Sequence, residues 1–372
     1  MTRLRAASLC LVAAMVVACA PTIAPVSPVA VVPSAVPSAT PTVPSASPSP
    51  SAPATPSPVP PSPTPSAPST VADLTGLSVD PDVAHRLPLA VMIDDSRAAR
   101  PQSGFNGASI VYQATADGFE TRYMLVFQEG DTKAVGPVRS ARFFLAQWAS
   151  ELHAALAHYG GDQRTRRHIK HNPQMFTDVD GLGRGNGAYH RIKSRRAPHN
   201  AYASTASIRR MALKLGATEL MSRRLHLRPF VDPSPEAGRA ESQKIRIPYR
   251  TNVITYRFER TTNRYLRSID GKAHIDPADD ERVTAANVVV LFQKFRIDTK
   301  IEPGHSRPDI KTLGTGKALV FREGRVVKGT WSKTGDTAPT RILDADGVEI
   351  PLVRGRTFIQ VVPIGAKVSY GA

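Results

Sequence analysis

Only two cysteines occur in 372 residues, and both, Cys10 and Cys19, lie within the first twenty. Everything after Cys19 therefore lacks a disulfide, a thiol nucleophile and a cysteine metal ligand, which removes several enzyme classes together. From Ala20 to Thr70 there is no charged and no aromatic residue, so this stretch can form neither ion pairs nor a packed core. Past residue 18 no apolar run approaches the ~20 residues needed to span a bilayer. Acidic side chains are also scarce: 31 Asp and Glu stand against 48 Lys and Arg, for a formal charge of +17. That balance favours anionic partners such as acidic polysaccharide, phosphate polymers, lipid headgroups or nucleic acid. The plain alternative is arginine spread over a solvated surface.

What is present begins with a leader. Met1 to Arg5 is a short basic region, and Ala6 to Ala18 is an apolar stretch too short to remain as a membrane span. It ends in Val16-Val17-Ala18-Cys19. This resembles the lipobox of bacterial lipoproteins, in which the cysteine thiol takes a diacylglyceryl group. Two acyl chains hold a membrane where one binds only marginally, at ~0.8 kcal/mol per buried CH₂. Residues 1–18 are thus expected to be a signal peptide and Cys19 the lipidation site, giving a membrane partner through the anchor and an extracytoplasmic address at the cell surface or periplasmic face. Residues 19–73 read as a tether: 17 of the 33 prolines lie between Ala20 and Thr70, and repeated proline blocks helix and ladder alike.

The remaining residues read as an α+β protein. A mixed α/β layer domain over 74–230 precedes a linker at 231–248 and a smaller β-rich domain over 249–372. Leu89–Ile93, Ser109–Ala114 and Arg122–Gln128 have strand patterning. Gly136-Pro137 predicts a helix over Val138–Leu152, because proline suits the first helical position. A strand at Ala154–Tyr159 and helices at Arg164–His171 and Thr205–Leu215 complete the first domain. Beyond Pro229 and Pro235, short strands at Asn252–Glu259, Tyr265–Ile269, Asn287–Phe295, Ala318–Arg322, Val326–Trp331 and Thr357–Val362 are punctuated by Asp270-Gly271, Glu323-Gly324 and Asp346-Gly347.

Several segments carry a family resemblance. They are Ala90-Val-Met-Ile-Asp94 with Ala99-Arg-Pro-Gln-Ser-Gly104, Gly136-Pro-Val-Arg-Ser-Ala-Arg142, Ala197-Pro-His-Asn200 with Tyr202, and Ala286-Asn-Val-Val-Val290. Gly329-Thr-Trp331 with Lys333 and Phe358-Ile-Gln-Val-Val-Pro363 continue the same order. In them the chain resembles the YerB-like lipoproteins over about residues 85 to 370. The resemblance implies a two-domain extracytoplasmic lipoprotein. It brings no activity, ligand or catalytic residue with it.

Candidate chemistry is therefore read from the residues. Arg139, Ser140 and Arg142 sit at the expected helix start, where free N–H groups and two arginines three apart could hold a carboxylate or phosphate. The alternative is that the pair binds internal carboxylates such as Asp94, Asp117 or Glu120. Glu120 and Arg122 are two apart at a strand start and read as a salt-bridged pair or as a general base with its partner. His158 precedes Gly160-Gly161 at a strand end, where α/β sheets open a crevice; it reads as a proton carrier or a hydrogen-bonded structural histidine. Arg191, His199 and Asn200 flank the most basic stretch, residues 164–214, which holds 12 Lys or Arg against Asp178 and Asp180 alone. With glycine at 181, 183, 185 and 187, this reads as a flexible basic lip over the crevice or as a solvated loop. No metal site and no cofactor is expected, and the oligomeric state is open.

Three functions fit. The first is a tethered protein binding an anionic cell-envelope polymer or fragment through a basic crevice. The second is a carbohydrate-active envelope hydrolase or transferase. The third is a scaffold for an envelope protein. Nucleic acid is disfavoured, since no recognition module accompanies the charge.

Overall fold

The computed structural model describes residues 69–221, 225, 227–298 and 307–372. The signal peptide, Cys19 and the tether as far as residue 68 lie outside the described residues. Within the span expected to be tether, Thr70–Val71 already pairs with Ser78–Val79.

In chain order the first strands are β1 (Leu89–Asp94), β2 (Ile110–Thr115), β3 (Thr121–Phe127), β4 (Ala155–His158) and β5 (Thr177–Asp180). Three helices belong with them: α1 (Phe143–Ser150), α2 (Gln163–His171) and α3 (Thr205–Lys214). The second half supplies β6 (Lys244–Pro248), β7 (Val253–Glu259), β8 (Arg264–Ile269) and β9 (Asn287–Gln293). There follow β10 (Phe295–Asp298), β11 (Arg307–Ile310), β12 (Gly314–Arg322), β13 (Arg325–Lys333), β14 (Arg341–Leu343) and β15 (Thr357–Pro363).

Ten of these strands make one sheet, in the order β14-β13-β12-β9-β15-β2-β3-β1-β4-β5. The sheet crosses the expected domain boundary: β15 runs parallel to β9 on one side and to β2 on the other. The described residues from 69 onward accordingly belong to a single compact unit. The expected linker is also part of the architecture. Lys244–Pro248 alternates exposed and buried side chains and pairs with β7 in a second antiparallel sheet. Sheet outweighs helix throughout, so the coarse mixed class stands with β structure dominant.

Why β1 reads as an unbroken apolar run is visible in its two faces. Leu89, Val91 and Ile93 enter one core together with Tyr123, Leu125, Ile208 and Ala212. Ala90 and Met92 enter the opposite core with Phe144, Trp148 and Ile169. A strand covered on both faces has no polar side, and each large apolar side chain so buried contributes about 1.5–3 kcal/mol. The helices are short, and α2 and α3 carry side-chain N-caps. The Asp162 carboxylate accepts the Thr165 N–H at 2.9 Å at the start of α2, and Ser204 and Ser207 form a capping box on α3. Glu323 and Gly324 both take positive φ, 51° and 71°, which is the two-residue turn that joins twisted strands such as β12 and β13.

Candidate functional site

The helix expected from residue 138 begins five residues later. Residues 138–141 are extended and fasten two strand ends: the Arg139 N–H donates to Met92 O at 2.8 Å, and the Ala141 N–H donates to Gly160 O at 2.9 Å. The N–H groups of Val138, Arg139 and Ala141 are spent on backbone pairing, so residues 138–141 do not form the expected helix start for an anion. Tertiary pairing overrides the proline signal. Arg139 and Arg142 consequently do not share a helix face.

The two arginines diverge in environment. Arg142 is buried, donates from Nε to Asp117 Oδ1 at 3.0 Å, and closes a second bond from Nη2 to Asp117 Oδ2. Asp117 also receives Arg307 at 2.5 Å and Arg122 at 3.7 Å. Burial works against the ionised Asp117, but the Arg142 bond and charge, with Arg122 and Arg307, hold its carboxyl far below the ordinary 3.8. Burial and the neighbouring Arg142 charge push Arg122 down to about 9. Its Nη1 donates to the Ser140 carbonyl at 2.8 Å, and no ion pair joins it to Glu120 among the described residues. Ser140 Oγ donates to Tyr159 O at 3.0 Å and is a structural hydroxyl.

Arg139 stands beside Asp94 instead, at the C-terminal end of β1. Its Nε is 3.1 Å from Asp94 Oδ2 but misaligned for a hydrogen bond, and its two Nη groups have no partner among the described residues. On the same carboxylate oxygen lies His199 Nδ1, at 2.7 Å. The Ser96 N–H donates to Asp94 Oδ1 at 3.1 Å. Burial raises the Asp94 pKa, and Arg122, the Ser96 N–H, Arg139 and His199 outweigh it, leaving the carboxyl below 3.8. An ionised Asp94 at Nδ1 takes the Nδ1–H of His199 and leaves Nε2 to a ligand, as an acceptor in the neutral ring and as a donor to an anion in the doubly protonated one. Nε2 has no partner among the described residues. Ser96 Oγ approaches the same Nδ1, at 3.2 Å, which is the wrong nitrogen for a nucleophile in a serine–histidine–aspartate arrangement. Glu120 is half-buried beside this group; burial and the charges of Asp94 and Asp95 raise its carboxyl above 4.5.

The other expected residues are occupied elsewhere. His158 is buried, with Nδ1 2.8 Å from Gly160 O and Nε2 2.9 Å from Asp178 Oδ1. Two acceptors satisfy only the doubly protonated ring. Burial opposes that charge, yet Asp178, Asp180 and the Gly160 carbonyl raise the pKa above 6.5. It is a latch between β4 and β5, not a proton carrier. Arg191 is exposed, donates from Nη1 to Asn200 Oδ1 at 2.6 Å and lies over the Tyr159 ring, 5.0 Å from its centroid, so this pair braces a hairpin. The glycine-rich stretch is tied down: the Gly181 N–H donates to His158 O at 2.8 Å, and a Cβ at Gly185 would meet the Val179 backbone at 2.5 Å. Close packing, and not a loose lip, is what these glycines serve.

One face of the molecule escaped sequence reasoning. An open groove of about 410 Å³ is lined by Phe143 and Gln147 of α1, Arg164 of α2, and Lys294, Arg296 and Lys311 from the strands around β10 and β11. These cations are scattered over 150 positions of the chain, and no local pattern unites them.

The comparisons with known proteins agree with this architecture. Family models described as the N-terminal and C-terminal domains of a protein of unknown function (DUF3048) match residues 74–218 and 245–359. The chain is 30% identical over 298 residues to "Putative lipoprotein YerB" of Bacillus subtilis (strain 168), covering 78% of this chain and 86% of that one. The crystal structure of YerB from Bacillus subtilis superposes with a TM-score of 0.72 at 28% identity, over 82% of this chain and all of that one. The order of its strands, its paired domain matches and its likeness over most of its length place this chain in the YerB-like, DUF3048 family.

Proposed function

We propose that the protein is a lipid-anchored extracytoplasmic binding protein, and that it takes an acidic group of a cell-envelope polymer or fragment at Arg139 and His199. The likeness to a named lipoprotein supports the address, and no described helix is long and apolar enough to cross a membrane. One observation carries the site. Of the arginines gathered here, Arg142 and Arg122 are consumed by Asp117 and backbone, whereas the Arg139 Nη groups and His199 Nε2 are left without partners beside one carboxylate. Asp94 holds both in place, and the end of β1, parallel to β4, is where such sheets open towards ligands.

The test uses residues 64–372 and isolated wall material. Arg139→Ala and His199→Gln should each weaken retention roughly 10- to 100-fold, the range of a charge-assisted hydrogen bond. Retention that stays at the wild-type level in both variants would exclude this site.

A hydrolase or transferase acting on envelope carbohydrate is the second reading, favoured by the Asp94–His199 pair. There His199 Nε2 would accept a proton from an attacking hydroxyl or water while Arg139 faces the developing anion. New products from wall fragments, lost with His199→Gln, would establish it; none after prolonged incubation would remove it.

A further inference from the structure

We propose that the groove between α1, α2 and the β10–β11 hairpin is a second binding site, and that it takes a phosphate-bearing chain between Lys294 and Lys311. The hairpin register is the starting point. Arg296 lies opposite Asp309, an oppositely charged pair closed by Arg296 Nη2 to Asp309 Oδ2 at 2.8 Å. Two steps along, past Phe295 and Ile310, the Lys311 N–H donates to Lys294 O at 2.9 Å, so two lysines face each other across the ladder. Like charges directly opposite destabilise a strand pair. The carboxylate that would relieve them is already engaged, because Asp309 Oδ1 accepts Arg164 Nη1 at 2.9 Å. Neither lysine forms an ion pair among the described residues, and both are exposed.

The surroundings select the ligand. Arg164 lies over the Phe143 ring, 3.7 Å from its centroid, which fixes one wall of the groove. From Arg164 the positive charge continues along the exposed face of α2 through Arg166, Arg167 and Lys170. Asp309 is the one carboxylate lining a groove that also carries Arg164, Lys294, Arg296 and Lys311. Paired ammonium groups act as point charges, a role in which lysine commonly binds phosphate. An open groove leading onto a charged helix face suits a chain with repeated charges better than a single small anion or a flat lipid surface. Edge lysines that merely prevent strand pairing give the same exposure without the ligand, and the experiment separates the two.

Labelled long-chain inorganic polyphosphate is titrated against residues 64–372 at several salt concentrations. Binding should saturate, and the logarithm of its constant should fall linearly with the logarithm of salt. Lys294→Gln with Lys311→Gln should weaken binding by about tenfold or more and reduce the salt slope by about two, one for each phosphate-contacting lysine. Without ligand, each single change should leave the thermal midpoint level or raise it, since repulsion is relieved. Arg139→Ala and His199→Gln should leave polyphosphate binding intact, so failure of the first site and failure of this one are distinguishable. The proposal is overturned if the double lysine variant binds polyphosphate as tightly as wild type. Equal weakening by Lys328→Gln with Lys367→Gln, two exposed lysines elsewhere, would also overturn it by showing diffuse charge alone. Equal affinity for poly-glutamate would remove the phosphate assignment, and preference for phosphatidylglycerol vesicles over polyphosphate would assign the face to a lipid surface instead.

Discussion

Asp94 and Asp95 are neighbours at the end of one strand, yet they belong to different machines. Asp95 is saturated. It accepts Arg100 Nε at 3.0 Å, Gln102 Nε2 at 2.8 Å, Gln113 Nε2 at 3.2 Å, Asn252 Nδ2 at 3.3 Å and the Thr121 hydroxyl. Those donors come from both halves of the chain, so this carboxylate fastens the second sheet to the first. Beside it, fully buried Arg267 donates to Gln113 Oε1 at 2.8 Å, Tyr123 OH at 2.9 Å and Tyr256 OH at 3.3 Å. It also donates to His274 Nδ1, and burial together with the Arg267 charge keeps that ring neutral, well below 6.5. Asp94, by contrast, holds Arg139 and His199 while leaving both with unused hydrogen-bonding capacity. Strand geometry sends successive side chains to opposite faces, which is how one step along the chain separates a structural carboxylate from an orienting one.

The comparison can be broken by substitution. Asp95→Ala should cost about 3–5 kcal/mol in urea unfolding, because it strands Arg100 and several buried amides; a loss under about 1 kcal/mol would contradict its structural role. Arg142→Ala should cost about 2–3 kcal/mol by removing two charge-assisted hydrogen bonds to Asp117, whereas Arg139→Ala should change stability by under about 1 kcal/mol and act on binding instead. Equal stability losses from the two arginines would erase the distinction drawn between them.

A pH series tests the His158 latch. Its folded pKa is raised, so its contribution to stability is complete below 6.5 and disappears as pH rises through the higher folded value. Urea midpoints should fall over that window, and Asp178→Asn should flatten the fall. Asp117 works in the opposite sense: held far below 3.8, it stabilises above that value and loses its effect as pH drops towards its folded pKa. Ser140→Ala should cost about 1 kcal/mol for one hydrogen bond to a backbone carbonyl, with stability and wall retention otherwise unchanged.

Much of the local structure was legible. Leu89–Asp94, Thr121–Phe127 and the Glu323-Gly324 hairpin follow from patterning and turn chemistry, and the internal pairing of Arg139 with Asp94 and of Arg142 with Asp117 was among the alternatives. What sequence reasoning missed is non-local. Nothing in Thr357–Val362 announces that it pairs with Ile110–Ala114, and nothing around His199 announces Asp94. The helix start at Pro137 failed because extended pairing at two strand ends outweighed a one-residue preference. The groove cations were invisible because their common surface exists only after α1, α2 and the β10–β11 hairpin have packed.

The position of β15 carries a consequence for timing. The strand that joins the two halves of the great sheet is synthesised long after β2, and until it arrives Ile110–Thr115 is an uncovered edge. Uncovered edges invite mispairing with other chains. A premature stop before Thr357 would therefore remove the keystone of the N-terminal half.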